Sequence, residues 1–332
     1  MKYLLCALSL ILTSTLFSPV QAAELRVYST KNASYLKPLF DQYSRETGTA
    51  VSYLVAPAST LLARLEAEGS NSQADLLLTT GAASLWLAAH KGLTAPVASA
   101  MLEDNVPGHL RSPDNHWFGF AKRTQTLIYN SASLNKAELK GYAELADKRW
   151  LGNLCLRTSQ QPYTQSLVAM LINREGEQKT LAMLQGWVNN LAVRPFEEDA
   201  QIFPAMEQQI CDVSIVNAYY FARYQHEHPD TPLKLFWADQ DSSGVHVDIT
   251  GAAVTAHAPH REQAIDLLEW LTTKPAQALY ARLSLEYPVN SQVYPVREIG
   301  RRGRFTEDPA NLSASGANRE RAILLLQQAG YR

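Results

Sequence analysis

Three tyrosines share a spacing relative to two cysteines. Tyr163 lies eight residues beyond Cys155. Tyr219 lies the same eight residues beyond Cys211 and is followed directly by Tyr220. A neutral phenol is a poor metal ligand because its reference pKa is near ~10, but a small, highly charged cation such as ferric iron holds the oxygen deprotonated. Taken alone, however, a tyrosine pair is more commonly half-buried packing.

The N-terminus predicts export. Lys2 is followed by an apolar run at residues 4–17, and Val20 and Ala22 supply small residues for cleavage. We therefore expect residues 1–22 to be a signal peptide and the mature protein to be secreted across the inner membrane. The apolar run is short for a membrane-spanning helix and no second one follows, so stable membrane insertion is not expected.

Signal cleavage removes Cys6 and leaves one pair of cysteines, Cys155 and Cys211. In an oxidising compartment an even pair predicts a disulfide. Closing a loop of this size stabilises a fold by roughly 4 kcal/mol. A thiolate metal site would need more ligands than two distant cysteines provide.

Charge and length limit the function classes. The 332-residue chain has a formal net charge of -2, and loss of Lys2 makes it -3, so a nucleic-acid-binding or polybasic membrane surface is not expected. The mature length is enough for two modest domains. Repeats and flexible linkers are lacking in the sequence, so structured crossings should join the domains. We expect the protein to be a monomer.

Strands and helices alternate along the mature chain, which predicts an α/β fold of two lobes. Helical periodicity predicts helices at residues 35–46, 59–68, 163–174 and 178–190, with Ser59 as an N-cap candidate. Apolar runs predict strands at residues 25–28, 50–55, 74–79, 126–129, 154–157 and 213–216. The continuously apolar run at 74–79 is typical of a strand buried on both faces of a parallel sheet.

The tyrosines follow strands of this predicted fold. Ligands of open α/β sheets bind beyond the carboxyl ends of the strands. Tyr163 follows the strand at 154–157, whereas Tyr219 and Tyr220 follow the strand at 213–216. Adjacent side chains can converge at a strand-to-helix bend, and a disulfide would tie the two strands together behind them. This coincidence favours a binding site over packing.

Short segments in a particular order and spacing carry a family resemblance. They are 27–30 (VYST), 46–48 (ETG), 74–79 (ADLLLT), 122–123 (KR), 127–130 (LIYN), 157–159 (RTS), 163–169 (YTQSLVA), 217–223 (NAYYFAR), 246–251 (HVDITG), 286–289 (EYPV) and 305–312 (FTEDPANL). Through them the chain resembles the periplasmic ferric-iron-binding proteins of ABC importers, in particular the subgroup that holds iron through several tyrosines.

The resemblance implies a two-lobed periplasmic-binding-protein fold, with a ligand cleft between lobes that are joined by crossing strands. The implied boundaries are 23–122 and 247–298 for lobe 1, and 123–246 and 299–332 for lobe 2. It also implies that Tyr163, Tyr219 and Tyr220 bind ferric iron from lobe 2 and that the iron passes to an inner-membrane ABC permease.

An anion is implied beside the metal. The resemblance assigns Arg123 to a small synergistic anion such as carbonate, since a planar guanidinium holds a planar oxyanion through two hydrogen bonds. Thr158 and Ser159 are further candidates for this anion site. The alternative role of Arg123 is an ion pair between the lobes.

The chain departs from the family in lobe 1. Family members commonly have a histidine, or a histidine followed by a tyrosine, where this chain has Asn32 and Ala33, and some have a glutamate where it has Thr80. Tyr35 is a candidate substitute ligand, although packing is the usual role of an aromatic residue at a helix N-terminus. Without Tyr35, the remaining coordination positions would need an anion or water.

Other functions have weaker support. Several histidines and aspartates lack the spacing of a zinc site or a calcium loop; they are His226, His228, His257, His260, Asp239, Asp241 and Asp248. The sequence has neither a nucleophile elbow nor a phosphate-binding loop, so an enzyme is not expected. The main alternative is a binding protein of the same fold for a small organic carboxylate or phosphate paired by Arg123.

Overall fold

The computed structural model of the protein describes residues 24–301 and 303–332. The predicted signal peptide lies outside the described residues. The strands are β1 (Glu24–Ser29), β2 (Ala50–Val55), β3 (Leu76–Thr80), β4 (Phe118–Asn130), β5 (Leu154–Cys155), β6 (Val213–Asn217), β7 (Leu233–Phe236), β8 (Val247–Val254) and β9 (Tyr287–Pro288). The alternation of strands with helices confirms the predicted α/β class.

The helices occupy the intervening segments. They are α1 (Ala33–Thr47), α2 (Ala58–Glu68), α3 (Ala82–His90), α4 (Ala100–Asn105), α5 (Pro162–Glu175), α6 (Glu177–Asn190), α7 (Asp199–Glu207), α8 (Ala218–Glu227), α9 (Arg261–Thr272), α10 (Lys274–Ser284), α11 (Arg297–Gly300), α12 (Ser313–Ala317) and α13 (Arg319–Gln328). Short 3-10 turns lie at Gly69–Asn71, Gly108–Leu110, Lys136–Glu138, Ala143–Ala146 and Lys148–Trp150. Helix α2 begins at Ala58 after Pro57, whose side chain makes no cap hydrogen bond. Ser59 therefore lies inside the first turn and is not the N-cap, contrary to the prediction.

The sheet is mixed rather than parallel throughout. Its strands follow the order β2-β1-β3-β8-β4-β6-β5, with β7 and β9 also paired to β4. The pairs of β1 with β2 and β3 and of β5 with β6 are parallel, whereas β8 runs antiparallel to both β3 and β4. Strand β3 is buried along nearly its whole length, as its apolar run predicted.

Strand β4 crosses from one part of the sheet to the other. Its first half pairs with β8, where Arg123 lies opposite Asp248, and its second half pairs with β6, where Leu127 lies opposite Ile215. The apolar pattern predicted only residues 126–129 of this strand because the polar stretch before them interrupts the pattern.

The hydrophobic core is divided on either side of β4. One cluster is built mainly from residues 25–121 and 247–289, and we call this body lobe 1. The other is built mainly from residues 127–245 and 322–331, and we call it lobe 2. Helix α13 contributes to the core of lobe 2, whereas α12 packs between α3 of lobe 1 and α5 of lobe 2.

Candidate metal centre

Tyr219 and Tyr220 lie at the bend between β6 and α8. Strand β6 ends at Asn217 and α8 begins at the next residue, so both tyrosines are in the first turn of the helix. Their ring centroids are 4.2 Å apart and their planes are tilted by 36°. Tyr219 is buried and Tyr220 is half-buried. The bend therefore brings two phenols together at the carboxyl end of a strand.

Arg123 reaches this pair from the crossing strand. Its Nη2 donates a 2.9 Å hydrogen bond to the Tyr219 hydroxyl, and its guanidinium carbon lies 5.2 Å from the centre of that ring. Its Nε is buried 3.9 Å from Oε1 of Glu286 and makes no hydrogen bond to the described residues. Burial works against the charge of Arg123, but Tyr219 and Glu286 outweigh it and raise the guanidinium pKa.

The phenol of Tyr219 holds its proton strongly in the absence of metal. Burial is the main cause that raises its pKa well above the ordinary value, and Tyr220 adds to the effect, while Arg123 opposes it. A cation that binds this oxygen must therefore displace the proton, which a trivalent ion beside a guanidinium-stabilised phenolate can do.

Tyr163 makes contacts of a different kind. Its hydroxyl lies 2.8 Å and 2.7 Å from the two carboxylate oxygens of Asp199 and accepts a 3.1 Å hydrogen bond from Arg157 Nε. Its backbone carbonyl accepts from Gln125 of β4, which pairs with the end of β6. The start of α5 thus adjoins the Tyr219 bend, but the Tyr163 hydroxyl is bonded to Asp199 and Arg157 rather than to Arg123.

Thr158 and Ser159 are buried beside the Tyr163 segment. The Thr158 amide donates to the Phe196 carbonyl at 2.9 Å, and the Ser159 amide donates to the Arg332 carbonyl at 3.1 Å. The Thr158 hydroxyl accepts from the Gln160 amide at 3.4 Å. Both backbone amides are therefore engaged within the protein, so only the side-chain hydroxyls remain as donors to an anion.

The lobe 1 side of the cleft contains a buried ion pair. Lys31 is buried and paired with Glu286, and its Nζ lies 4.7 Å from the centre of the Tyr35 ring. Burial lowers the Lys31 pKa, and Arg123 contributes in the same direction. Because Lys31 and Arg123 stabilise its charge, the carboxyl of Glu286 has a lowered pKa despite its burial.

Arg223 connects Tyr35 to the tyrosine pair. Its guanidinium carbon lies 5.3 Å from the Tyr35 ring centre and 5.4 Å from the Tyr219 ring centre. Its Nη2 also donates to the Ser284 carbonyl of lobe 1 at 3.2 Å. One side chain of α8 thus contacts both lobes, and Tyr35 approaches Tyr219 through it.

The lobe 1 positions that differ from the family have structural roles here. Asn32 is exposed and caps α1, because its side chain accepts a 2.8 Å hydrogen bond from the Ser34 amide. Ala33 is also exposed, and the Thr80 hydroxyl lies 3.2 Å from the Thr30 hydroxyl.

A disulfide joins the two strands behind the tyrosines, as predicted. Cys155 is the last residue of β5, and its Cα lies 5.8 Å from that of Cys211, which precedes β6. Both cysteines are buried in a hydrophobic cluster with Phe203 and Phe221. The covalent link therefore holds the segments that lead to Tyr163 and to Tyr219.

Sequence reasoning missed several charged residues around these phenols. Asp199 lies in an acidic stretch that resembles a solvated surface, and Lys31 and Arg223 have no metal-ligand pattern. Arg157, Arg223 and Glu286 do fall in segments that carry the family resemblance, which was the one available signal. No group of three or more histidine, cysteine, aspartate or glutamate side chains suited to a metal occurs among the described residues.

Comparison with known proteins gives the family. Residues 38–312 match the model of the bacterial extracellular solute-binding proteins. The chain belongs to this family. It is a solute-binding protein rather than an enzyme. Within residues 24–301 and 303–332, every helix is too short or too polar to cross a bilayer.

Three proteins that this solute-binding protein resembles are named for iron or have a structure solved with iron bound. Iron uptake protein A1 of Synechocystis sp. is 37% identical over 322 residues, which cover 95% of this chain and 89% of that protein. The structure of a Trichodesmium protein, IdiA or FutA, in complex with iron and citrate has a TM-score of 0.89 at 32% identity and covers 93% of this chain and 100% of that one. The structure of ferric iron-binding protein A of Mannheimia haemolytica, in an open conformation, has a TM-score of 0.86 at 29% identity. The match covers 93% of this chain and 99% of that one. These matches confirm the predicted periplasmic-binding-protein fold.

Proposed function

We propose that this solute-binding protein captures ferric iron through tyrosine phenolates in the cleft between its lobes and delivers it to an ABC permease of the inner membrane. The observation that carries the proposal is the contact of Tyr219 with both Tyr220 and Arg123 at the carboxyl end of β6. Similar proteins support iron as the ligand: one is named an iron uptake protein, and another has a structure in complex with iron and citrate.

The donor set suits ferric iron. Phenolates are hard oxygen ligands, and three of them would cancel the three positive charges of the ion. We propose Tyr219, Tyr220 and Tyr163 as these three ligands. Tyr35 is the candidate fourth ligand, although its ring packs between Lys31 and Arg223.

A surplus of positive charge favours an anion beside the iron. Lys31, Arg123 and Arg223 lie around the tyrosine pair and Tyr35, and the buried carboxylates of Glu286 and Asp248 offset only two of these three positive charges. An iron centre neutralised by three phenolates leaves this surplus in place. We therefore propose that Arg123 holds a synergistic oxyanion; carbonate is one candidate, and a carboxylate such as the citrate of the Trichodesmium complex is another.

The proposed route of the protein is secretion across the inner membrane. The family is extracellular, which fits the signal peptide predicted at residues 1–22 and the disulfide between Cys155 and Cys211. We propose that the mature protein begins after Ala22 and works in the periplasm as a monomer.

The proposal is tested by an absorption titration. Purified mature protein is titrated with ferric nitrilotriacetate while the visible spectrum is recorded. Phenolate-to-iron charge transfer should give a coloured band that saturates at one iron per protein. A protein that stays colourless but binds citrate or phosphate without iron would instead be a binding protein for an anionic organic ligand.

A further inference from the structure

The hydroxyl of Tyr163 is enclosed by two charged side chains that no iron-binding role explains. It lies within 2.8 Å of both oxygens of Asp199, and Arg157 Nε donates to it at 3.1 Å. The same Nε lies 2.9 Å from Asp199 Oδ2, so the three side chains form one closed group. We call Asp199 and Arg157 the Tyr163 cradle.

The cradle is buried and firmly held. Asp199 is 3% exposed, and Tyr163 and Arg157 are each 8% exposed. Arg157 Nη1 donates to the Phe196 carbonyl at 3.2 Å, and the Tyr331 hydroxyl donates to the Arg157 carbonyl at 2.8 Å. A hydrogen bond to a charged acceptor in such surroundings is stronger than one in water.

This geometry fits a phenol but not a metal-bound phenolate. The Tyr163 hydroxyl has one hydrogen, and Asp199 accepts it. When an Fe–O bond forms and the proton passes to solvent, the oxygen has nothing left to donate, and two anionic oxygens would remain less than 3 Å from it. As long as Asp199 stays ionised, Tyr163 must therefore move out of contact with it before it can bind iron.

Tyr219 needs no such movement. Its hydroxyl accepts a hydrogen bond from Arg123, and a phenolate oxygen accepts from a guanidinium even better than a phenol does. Tyr220 is half-buried and in ring contact with Tyr219. The pair is therefore ready to receive the ion, whereas Tyr163 is not.

We propose that Asp199 and Arg157 are positioning residues that hold Tyr163 in reserve, so that iron is bound first by Tyr219 and Tyr220 and the third phenolate joins only after the cradle opens. The inference rests on the proposed function and adds an order of events to it. Capture then consists of a fast step, which depends on iron concentration, and a slower step, which does not.

Stopped-flow absorption after mixing with ferric nitrilotriacetate tests this order. The wild-type band should grow in two phases, of which the second has a rate independent of iron concentration. Tyr163→Phe should retain the fast phase and lose the slow one, and its final intensity per iron should fall by about one third if each phenolate contributes equally.

Asp199→Asn should speed the slow phase by about 10-fold or more, the effect expected for weakening a hydrogen bond to a charged acceptor, while the final band stays the same. Asp239→Asn is the matched control. Asp239 is also partly buried and accepts from an arginine, Arg174 Nη2, at 3.3 Å in lobe 2. This variant should leave both phases unchanged.

The outcomes separate the two proposals. A single concentration-dependent phase in the wild type, or a slow phase that persists in Tyr163→Phe, would overturn the cradle while leaving iron binding intact. A wild-type protein with no band would overturn the iron function and the cradle with it. If Asp199→Asn does not fold, the comparison of the wild type with Tyr163→Phe decides the matter.

Discussion

The two walls of the cleft differ in the chemistry that they present. On the lobe 2 wall, Tyr219 and Tyr220 lie in ring contact and Arg123 donates to a phenol oxygen. On the lobe 1 wall, Lys31 is buried against Glu286. Phenol oxygens are ligands for a hard cation, whereas an ammonium group already paired with a carboxylate has no lone pair to offer a metal. The difference teaches that the lobe 2 wall can supply both the metal ligands and the guanidinium for an anion, whereas the lobe 1 wall supplies contacts for closure.

The largest effect that we expect from the phenols of the lobe 2 wall is a steep rise of iron affinity with pH. Burial raises the pKa of both Tyr219 and Tyr163, and Asp199 raises that of Tyr163 further, so both phenols are protonated at neutral pH without iron. Each phenol that binds iron must lose a proton, so affinity should rise with pH by up to about 1000-fold per unit for three phenols.

Proton release measured with an indicator dye checks this prediction. The wild type should release three protons per iron, after correction for those taken up by nitrilotriacetate. Tyr163→Phe should release two. Release of fewer than two protons by the wild type would mean that Tyr219 and Tyr220 do not both bind as phenolates.

Loss of the disulfide should destabilise lobe 2. The double variant Cys155→Ser/Cys211→Ser should lose roughly 4 kcal/mol of unfolding free energy, since the crosslink restricts the unfolded chain. Urea unfolding with and without dithiothreitol measures the change. The reductant should destabilise the wild type by a similar amount and leave the double variant unaffected; equal curves for wild type and variant would contradict a stabilising role.

Arg123→Lys should weaken iron binding by about 10-fold in the presence of the anion, because lysine keeps the charge but loses the planar fork that holds an oxyanion. Iron affinity is measured with carbonate, with citrate and with neither. The loss should be greater with the effective anion present. Equal losses under all three conditions would indicate that Arg123 acts only as an ion pair with Glu286.

Substitutions of Tyr35 should have the smallest effect on iron affinity. They distinguish a role of its oxygen as a metal ligand from a role of its ring in stacking. Tyr35→Phe keeps the ring beside Lys31 and Arg223, whereas Tyr35→Leu removes it and with it a cation–π contact of about 0.5–1 kcal/mol. If Tyr35 only stacks, Phe should preserve iron affinity and iron-driven compaction in small-angle scattering, and Leu should reduce them a few-fold. Equal losses in both variants would instead make the Tyr35 oxygen a lobe 1 ligand.

The sequence predicted the fold where the pattern was local. The apolar runs at β3 and β6 and the helical spacing of α5 and α6 match the structure closely, because each follows from the periodicity of its own residues. The predicted extent of β4 was too short, because its first half is extended through its pairing with β8, which is distant in the chain.

The site was predictable only in part for the same reason. The position of Tyr219 and Tyr220 directly after a predicted strand indicated that they lie at a strand-to-helix bend, and the cysteine pair predicted the disulfide. The contact of Tyr163 with Asp199 joins residues 36 apart in the chain, and no local pattern encodes it. Contacts between charged residues that are distant in the chain form only on tertiary packing, so they cannot be predicted from local sequence patterns.

The central claim, that the phenols of lobe 2 bind the iron, is tested most directly by removing single oxygen atoms. Tyr219→Phe and Tyr220→Phe keep the rings, and Tyr224→Phe is a control one helical turn further along α8. Changes beyond the first ligands of a metal cost about 10–100-fold in affinity, so loss of a ligand oxygen should cost more than about 100-fold.

Iron affinity and the charge-transfer band are measured together for these three variants by competition with nitrilotriacetate. We expect Tyr219→Phe and Tyr220→Phe to lose affinity and colour, with unfolding free energies close to that of the wild type, and Tyr224→Phe to match the wild type in all three. Unchanged affinity and an unchanged band in both Tyr219→Phe and Tyr220→Phe would contradict the account.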